Sequence, residues 1–88
     1  MAGNELADLL NLGDRSAQML RDAGIHTVRQ LRELGAVEAY LQIRRRGTPV
    51  SLNMLYAIEG ALTHTHWTRL DRATREALLM AVDVGDSR

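Results

Sequence analysis

The apolar residues of this chain recur every three or four positions, which is the spacing of one face of an α-helix. Ala17, Leu20 and Ala23 form one such series. The sustained alternation of apolar and polar residues that is typical of a half-buried strand does not occur in the sequence. The chain is therefore predicted to be all-α, a compact bundle of five to six short helices.

Glycine and the capping residues Ser, Thr and Asp divide this pattern, because helices tend to begin and end at them. Thr27, Ser51 and Asp71 each precede an apolar series and are predicted N-caps. Gly24 and Gly35 each follow one and are predicted to end a helix. The predicted helices are about 4–10, 14–23, 28–35, 36–46, 52–62 and 72–82.

Residues 9–31, LLNLGDRSAQMLRDAGIHTVRQL, indicate a helix-hairpin-helix core. Gly13 is expected to supply a turn with positive φ, and Asp14 to cap the helix that follows. Backbone amides at a helix start favour phosphate, so we predict Asn11, Leu12 and Gly13 as contacts to nucleic acid or a partner. The alternative is a purely structural turn, which the acidic Asp14 favours because it would repel phosphate.

Length limits the number of domains. Area scaling predicts that a chain of 88 residues buries roughly 64% of its unfolded surface, which suffices for one small core. We expect a single domain over 1–88, with its core at about 9–82 and a tail that frays from Gly85. No apolar run has the length of a membrane helix and no signal peptide is evident, so a soluble cytoplasmic protein without membrane contact is expected.

The charged residues restrict any nucleic-acid contact to one place. Eleven basic residues, all arginine, balance eleven acidic ones. A neutral domain binds duplex DNA weakly unless its positive charge is concentrated. Arg44, Arg45 and Arg46 form the only basic run. We predict that they either contact phosphate or an acidic partner, or only offset the negative end of a helix dipole.

Two polar residues, Asn53 and Glu59, interrupt the otherwise apolar helix at 52–62, which is expected to lie at the centre of the fold. A carboxylate buried without a partner is strongly unfavourable. We therefore expect Glu59 to pair with an arginine of a neighbouring helix, and we assign both residues structural roles. Trp67, together with Leu70, is expected to anchor the following connection to the core.

The sequence carries no arrangement typical of catalysis. His64 and His66 could face one ion, but a usable site needs a third ligand, and Asp71 is the only nearby candidate. The absence of cysteine excludes disulfides, thiolate metal sites and a cysteine nucleophile. No glycine-rich phosphate loop, nucleophile elbow or pair of carboxylates occurs. We predict a protein that is not an enzyme and has no metal, no cofactor and no small-molecule substrate.

Four motifs occur in a recognisable order: LNLG at 10–13, AGIHTVRQL at 23–31, LGAVEA at 34–39 and LNMLYAIEGA at 52–61. Through them the chain resembles the TfoX C-terminal domain family from about Leu9 to Val82. The resemblance implies an all-helical module with a helix-hairpin-helix-like core, found in regulators of natural competence and DNA uptake. It implies no catalytic residues. The residues that match the family pattern, for which we predict mainly structural roles, are Gly13, Gly24, Asn53, Tyr56, Glu59, Gly60 and Trp67.

Two functions remain open at this point. The first is a regulatory domain that contacts DNA or a transcription-regulatory protein, which the hairpin and the family resemblance favour. The second is an adapter for protein interaction or self-association without direct DNA contact, which the neutral net charge favours. Its surface would include Met54, Ile58, Leu79 and Met80.

Overall fold

The structure is a computed structural model, and it describes residues 6–87. Over this range it is all-helical, as predicted, and contains no strand. The predicted count of five to six helices is not reproduced. Residues 6–87 form four α-helices, α1 (Asp14–Asp22), α2 (Val28–Arg45), α3 (Leu52–Thr63) and α4 (Arg72–Asp86), with 3₁₀ turns at Leu6–Asp8 and Trp67–Arg69.

The predicted number of helices is too high for two separate reasons. The helix predicted at 4–10 is a 3₁₀ turn where it can be seen, and residues 4 and 5 lie outside the described residues. The helices predicted at 28–35 and 36–46 form one element, α2, which Gly35 interrupts with φ 80° and ψ 169°. A side chain at this φ would be strained, whereas glycine adopts it freely. The predicted boundary is therefore present as a break within α2.

Two of the four predicted N-caps, Thr27 and Asp71, make their capping bonds. Thr27 Oγ1 accepts a hydrogen bond from the Gln30 amide at 3.0 Å, and Gln30 Oε1 accepts one from the Thr27 amide at 3.1 Å. Asp71 Oδ1 accepts from the Thr74 amide at 2.8 Å. Ser51 occupies the N-cap position of α3, but its side chain makes no capping bond. The first amides of α3 therefore lack a side-chain partner.

The turn before α1 differs from the prediction. Asn11, not Gly13, has the positive φ, at 72°. Gly13 is extended, with φ −119° and ψ −168°, and is itself the N-cap residue, while Asp14 is the first residue of the helix. Asparagine tolerates the left-handed region because its short polar side chain can hydrogen-bond nearby. The positive φ predicted for Gly13 belongs to Asn11 instead. Because Gly13 is the N-cap residue, Asp14 does not have the capping role that we predicted.

The core lies where α2 meets the other helices. Its largest fully buried side chains come from α1, α2, α3, the 3₁₀ turn before α1 and the connection between α1 and α2. They are Leu6, Leu20, Ile25, Leu31, Leu41, Ile43, Leu55 and Ile58. α2 contacts α1, α3 and α4, so it has the central position that the sequence suggested for α3.

α4 is longer than predicted. It continues past Val82 to Asp86, and Gly85 is buried within it against Leu41 of α2. Asp86 forms an ion pair with Arg44 across a distance of 2.9 Å. The helix therefore continues through Gly85 and Asp86, where the sequence predicted a frayed tail. Arg88 lies outside the described residues.

None of the helices described between residues 6 and 87 is both long enough and apolar enough to cross a membrane.

Candidate functional site

The structure separates the two groups of predicted contact residues. Asn11, Leu12 and Gly13 precede the N-terminus of α1. Arg46 lies beside the opposite end, where a Cβ atom on Gly24 would be 3.7 Å from Arg46 Nη2. A helix of nine residues spans about 13 Å. The first turn and the arginine run therefore do not surround one common site.

Within the first turn, Asn11 and Leu12 are held by the fold. Asn11 Nδ2 donates to the carbonyl oxygens of Thr65 at 2.9 Å and Ala57 at 3.4 Å. Asn11 Oδ1 accepts from the Trp67 amide at 3.1 Å. Leu12 is buried in the core. These side chains fix the turn against α3 and the segment that follows it, and Gly13 is the one fully exposed residue of the three.

Gly60 explains how the side chain of Asn11 reaches α3. A Cβ atom at position 60 would overlap both Asn11 Nδ2 and the Thr65 carbonyl oxygen. The Gly60 carbonyl also accepts a hydrogen bond from the Thr65 amide at 2.8 Å. The structural role predicted for Gly60 thus has a specific cause, the close approach of two other segments.

Two members of the arginine run are ion-paired. Besides its pair with Asp86, Arg44 lies with its guanidinium 5.6 Å from the centre of the Tyr40 ring. Arg45 Nη1 lies 3.0 Å from a carboxylate oxygen of Glu38. Arg46 is exposed and forms no ion pair with any residue in the range 6–87. The run therefore offers less positive charge to an external anion than three adjacent arginines suggest.

The second turn, residues 23–27, also uses its backbone amides internally. The amides of residues 23–25 donate to carbonyl groups of α1 at 2.9 to 3.2 Å. Those of His26 and Thr27 donate to Gln30 Oε1 at 2.7 and 3.1 Å. A phosphate at this hairpin would have to displace these bonds, so the turn is not a ready anion site.

An open groove of about 710 Å³ lies between the N-terminal halves of α1 and α3. Asn53, predicted to be structural, is exposed here, and the partly exposed Trp67 also borders the groove. Its lining residues are Asn11, Arg15, Ser16, Met19, Pro49, Val50, Ser51, Asn53, Met54, Ala57 and Trp67. We call this surface the α1/α3 groove.

The α1/α3 groove favours negative charge. Neither Gly13 nor Ser51 caps its helix with a side chain, so the first amides of both α1 and α3 lack such partners. Helix N-termini also carry the positive end of the helix dipole. Arg15 is the charged residue of the lining, and no carboxylate contributes to it among the described residues. Asp14 is exposed but lies outside the lining.

Arg15, Ser16 and Ser51 border the groove but were not predicted as site residues from the sequence. The position of Arg15 and Ser16 in the first helical turn after the hairpin was the available signal. Nothing in the sequence indicated that the start of α3 lies next to it, because the two helix starts are separated by almost forty positions.

Glu59 does not have the arginine partner that we expected. Its side chain is only half-buried and forms no ion pair within residues 6–87. It borders a shallow depression together with Arg69, Asp71 and Thr74. Because solvent reaches the carboxylate, the cost of leaving it unpaired is small. The prediction was wrong because α3 is less deeply buried than its apolar composition suggests.

The two histidines have local roles in the connection after α3. His64 adopts a left-handed conformation, with φ 56°, and ends the helix. His66 Nδ1 accepts from the Thr68 amide at 3.4 Å and lies 2.8 Å from Thr68 Oγ1. Among the described residues, no cluster of three side chains has the composition of a metal site.

Trp67 anchors this connection through its backbone rather than by burying its ring. Its amide donates to Asn11, and its carbonyl accepts from Arg75 Nη2 at 3.3 Å. Arg75 in turn lies with its guanidinium 5.3 Å from the centre of the Tyr56 ring. The side chains of Trp67 and Leu70 are both partly buried, and neither is among those that pack against the core.

Three curated relatives are similar to this chain. The DNA transformation protein TfoX1 of Aliivibrio fischeri is 32% identical over 78 residues. Protein Sxy of Escherichia coli is 36% identical over 73 residues, and the DNA transformation protein TfoX of Haemophilus influenzae is 33% identical over 76. The alignments cover 83% to 88% of this chain but only 35% to 37% of the relatives. The chain thus spans about a third of their length.

Two crystal structures from Listeria monocytogenes are similar over most of both chains. A triclinic form of an uncharacterized protein superposes with a TM-score of 0.79 at 38% identity, covering 86% of this chain and 85% of that one. A tetragonal form of a protein of unknown function gives 0.81 at 35% identity, covering 90% and 98%. The sequence model of the family described as the TfoX C-terminal domain matches residues 2–82. The chain therefore belongs to the TfoX C-terminal domain family.

Proposed function

We propose that this domain is a non-catalytic module of a system that regulates competence for DNA transformation, and that it acts by contacting DNA or a DNA-bound regulatory complex. Family membership and the names of the two relatives called DNA transformation proteins support the process. The absence of catalytic motifs from the sequence supports a binding role. The module corresponds to about a third of each relative, so the remaining activity of those proteins is not assigned to it.

The contact surface is the α1/α3 groove. The observation that supports it best is that α1 and α3 both begin at this groove without a side-chain cap, next to Arg15. Backbone amides at helix starts are good partners for phosphate oxygens, and an arginine adds charge-assisted hydrogen bonds. In this proposal Gly13 remains a phosphate contact, as the sequence suggested, because a helix start with no side chain at its cap leaves the amides open.

This surface supports weak binding. One arginine and two helix starts neutralise about one or two phosphates, and each neutralised phosphate contributes about −0.9 to the slope of log K against log salt concentration. The balanced charge of the chain adds no general attraction. We therefore expect DNA binding to be detectable at low salt and to fall only gradually as salt is added.

The test is a titration of fluorescently labelled duplex DNA, followed by anisotropy at low and moderate salt. Arg15→Gln should weaken binding several-fold and make the salt slope shallower by about one. Arg32→Gln is the matched control, because Arg32 is an exposed arginine outside the α1/α3 groove, and it should change little. Failure to detect binding at low salt would overturn the DNA contact.

A second variant distinguishes the α1/α3 groove from the arginine run. Replacing Arg44, Arg45 and Arg46 together by alanine should leave DNA binding close to that of wild type, since two of these side chains are ion-paired. If this variant loses binding while Arg15→Gln keeps it, the contact lies at the end of α2 instead. Thermal unfolding of each variant shows whether it is folded during the titration.

Protein contact is the second candidate function, and one observation favours it. Of the apolar residues predicted for such a surface, Met54 and Ile58 are buried and Leu79 is partly buried against the core, but Met80 is 70% exposed. Val84, on the same helix, is 59% exposed. Large apolar side chains that remain exposed next to each other on one face of a helix are typical of interaction surfaces.

A further inference from the structure

The outward face of α4 is apolar. Ala73, Ala77, Met80 and Val84 are spaced by four, three and four residues, so they lie along one line of the helix. All four are exposed. The opposite face contains Leu78, Val82 and Gly85 and is buried. α4 therefore has two apolar faces, and the fold covers only one of them.

We infer that the outward face of α4 binds the same face of a second copy of this chain, with the two helices antiparallel. A twofold axis between residues 78 and 79 places Ala73 of one copy opposite Val84 of the other. It also places Ala77 opposite Met80. Each large side chain then meets a small one, twice over, which is the self-complementarity that an interface between identical surfaces requires.

One pair of opposite charges beside this face agrees with the antiparallel arrangement. Arg72 and Asp83 are eleven residues apart and therefore project from the same flank of α4. In the antiparallel pair, Asp83 of the second copy lies on that flank about 3 Å further along the axis from Arg72, within reach of its long side chain. Arg72 is highly exposed and already pairs with Glu76 at 3.0 Å. A parallel pair would place the two Arg72 side chains on opposite flanks and would leave each far from Asp83 of the other copy.

The size of the face determines how strong the association is. α4 has 15 residues and is about 22 Å long, so one helix pair buries less than the roughly 1,600 Å² of a standard interface. The dimer is therefore weak and depends on concentration. This inference does not depend on DNA contact, since α4 contributes no residue to the α1/α3 groove.

The first test measures the molar mass by sedimentation from micromolar to millimolar concentration. The mass of wild type should rise toward that of a dimer, whereas Met80→Lys should stay monomeric and Arg72→Glu should dimerise less. Leu52→Lys is the matched control, because it alters another exposed apolar residue, on α3, and it should dimerise like wild type. Wild type that stays monomeric throughout, or dimerises equally with Met80→Lys, overturns the inference.

The second test determines the orientation of the helices. The sequence has no cysteine, so Ala73→Cys and Val84→Cys each introduce a single thiol. In the antiparallel pair residue 73 faces residue 84, whereas two copies of either residue are about 16 Å apart, too far for a disulfide. Mixing the two variants under mild oxidation should give the mixed disulfide, and neither variant alone should cross-link efficiently. Efficient cross-linking of either variant to itself overturns the antiparallel arrangement.

Measuring both DNA binding and molar mass for Arg15→Gln and Met80→Lys distinguishes the two proposals. Arg15→Gln should weaken DNA binding and leave the concentration dependence of the mass unchanged. Met80→Lys should keep the molar mass at that of a monomer and leave the DNA affinity of each groove unchanged. It would lose only the extra affinity that a dimer gains from carrying two grooves. If DNA binding fails and the mass still rises, only the DNA contact is overturned.

Discussion

The side-chain amide of Asn11 occupies the space that a Cβ atom on Gly60 would fill. From this position it bonds Thr65 and Trp67, which lie 54 and 56 residues further along the chain. The turn before α1, the middle of α3 and the connection to α4 therefore meet at one side chain. The same residue forms part of the wall of the α1/α3 groove, so the fold and the proposed site share this contact.

Gly60→Ala should destabilise the protein even though alanine favours helices. The added methyl group would overlap the Thr65 carbonyl and the amide of Asn11, and a backbone group cannot move aside as a side-chain end can. Overpacking of this kind costs about 1–3 kcal/mol. Urea unfolding followed by circular dichroism should show a lower transition midpoint with a similar slope.

Gly85→Ala is the control for this prediction. Its methyl group would also overlap a neighbour, but that neighbour is a terminal methyl group of Leu41, the end of a side chain rather than a backbone group. Gly85 is the second-last residue of α4, so alanine gains there only part of the roughly 1 kcal/mol by which it exceeds glycine in helix propensity. The midpoint of Gly85→Ala should therefore stay much closer to that of wild type. Equal losses for the two variants would contradict the role given to the backbone contact at Gly60.

A pair of substitutions at Asn11 separates its hydrogen bonds from its backbone conformation. Asn11→Gly retains the φ of 72° but leaves the Trp67 amide without its partner, which should cost about 1–3 kcal/mol. Asn11→Ala loses the same bonds and adds strain of about 1 kcal/mol or more at positive φ. Unfolding free energies should therefore decrease from wild type to Asn11→Gly to Asn11→Ala. A glycine variant as stable as wild type would show that these bonds contribute nothing.

Local chemistry made most helix boundaries predictable. Thr27 and Asp71 cap helices with atoms only three residues away, and Gly35 breaks α2 through its own φ. The ends of α1 and α3 likewise lie within one or two residues of prediction. Glycine does not by itself predict a helix end. At Gly85 it allows a close contact with Leu41 inside a helix. Only the tertiary neighbour distinguishes the two meanings.

The candidate site was less predictable, because its partners are distant in sequence. Three adjacent arginines indicate a basic patch, but the acidic partner of Arg44 lies 42 positions away at Asp86. Asn11 was predicted to lie in a turn, but nothing in the sequence showed that its side-chain amide hydrogen-bonds a segment more than fifty residues away. The α1/α3 groove exists only because two helix starts meet in space. Such juxtapositions leave no local pattern.

Stability at acidic pH should depend on Asp71. Its pKa is lowered from the ordinary value of 3.8, mainly because the carboxylate accepts the backbone amide of Thr74 and secondarily through the Thr74 side chain. Since the pKa is lower in the folded protein, the charged form contributes stability above the unfolded pKa and loses it as the pH falls through the folded pKa. Carboxyl NMR should place the Asp71 midpoint below 3.8, and a midpoint at or above it would refute this interpretation.

Asp71→Ser provides the comparison for the stability measurement. Serine also caps helices but does not titrate. Between neutral pH and the unfolded pKa, the difference in unfolding free energy between wild type and Asp71→Ser should stay constant. Below it, the difference should shift against wild type. A difference that stays constant down to strongly acidic pH would mean that the charge of Asp71 contributes nothing.

Gly13→Ser should stabilise the fold and weaken DNA binding at the same time. Gly13 has the extended conformation of an N-cap, and no atom lies within 4 Å of a Cβ built there, so serine fits without strain. Its hydroxyl would accept one of the open amides of α1, which should add a few tenths of a kcal/mol of stability. That amide is then lost to a phosphate, so DNA affinity should fall in the anisotropy titration. Gly13→Ala is the matched control, because it fills the same space without a capping oxygen and should lower stability while leaving DNA binding intact. If Gly13→Ser is more stable than wild type and binds DNA equally well, the amides at the start of α1 do not contact phosphate.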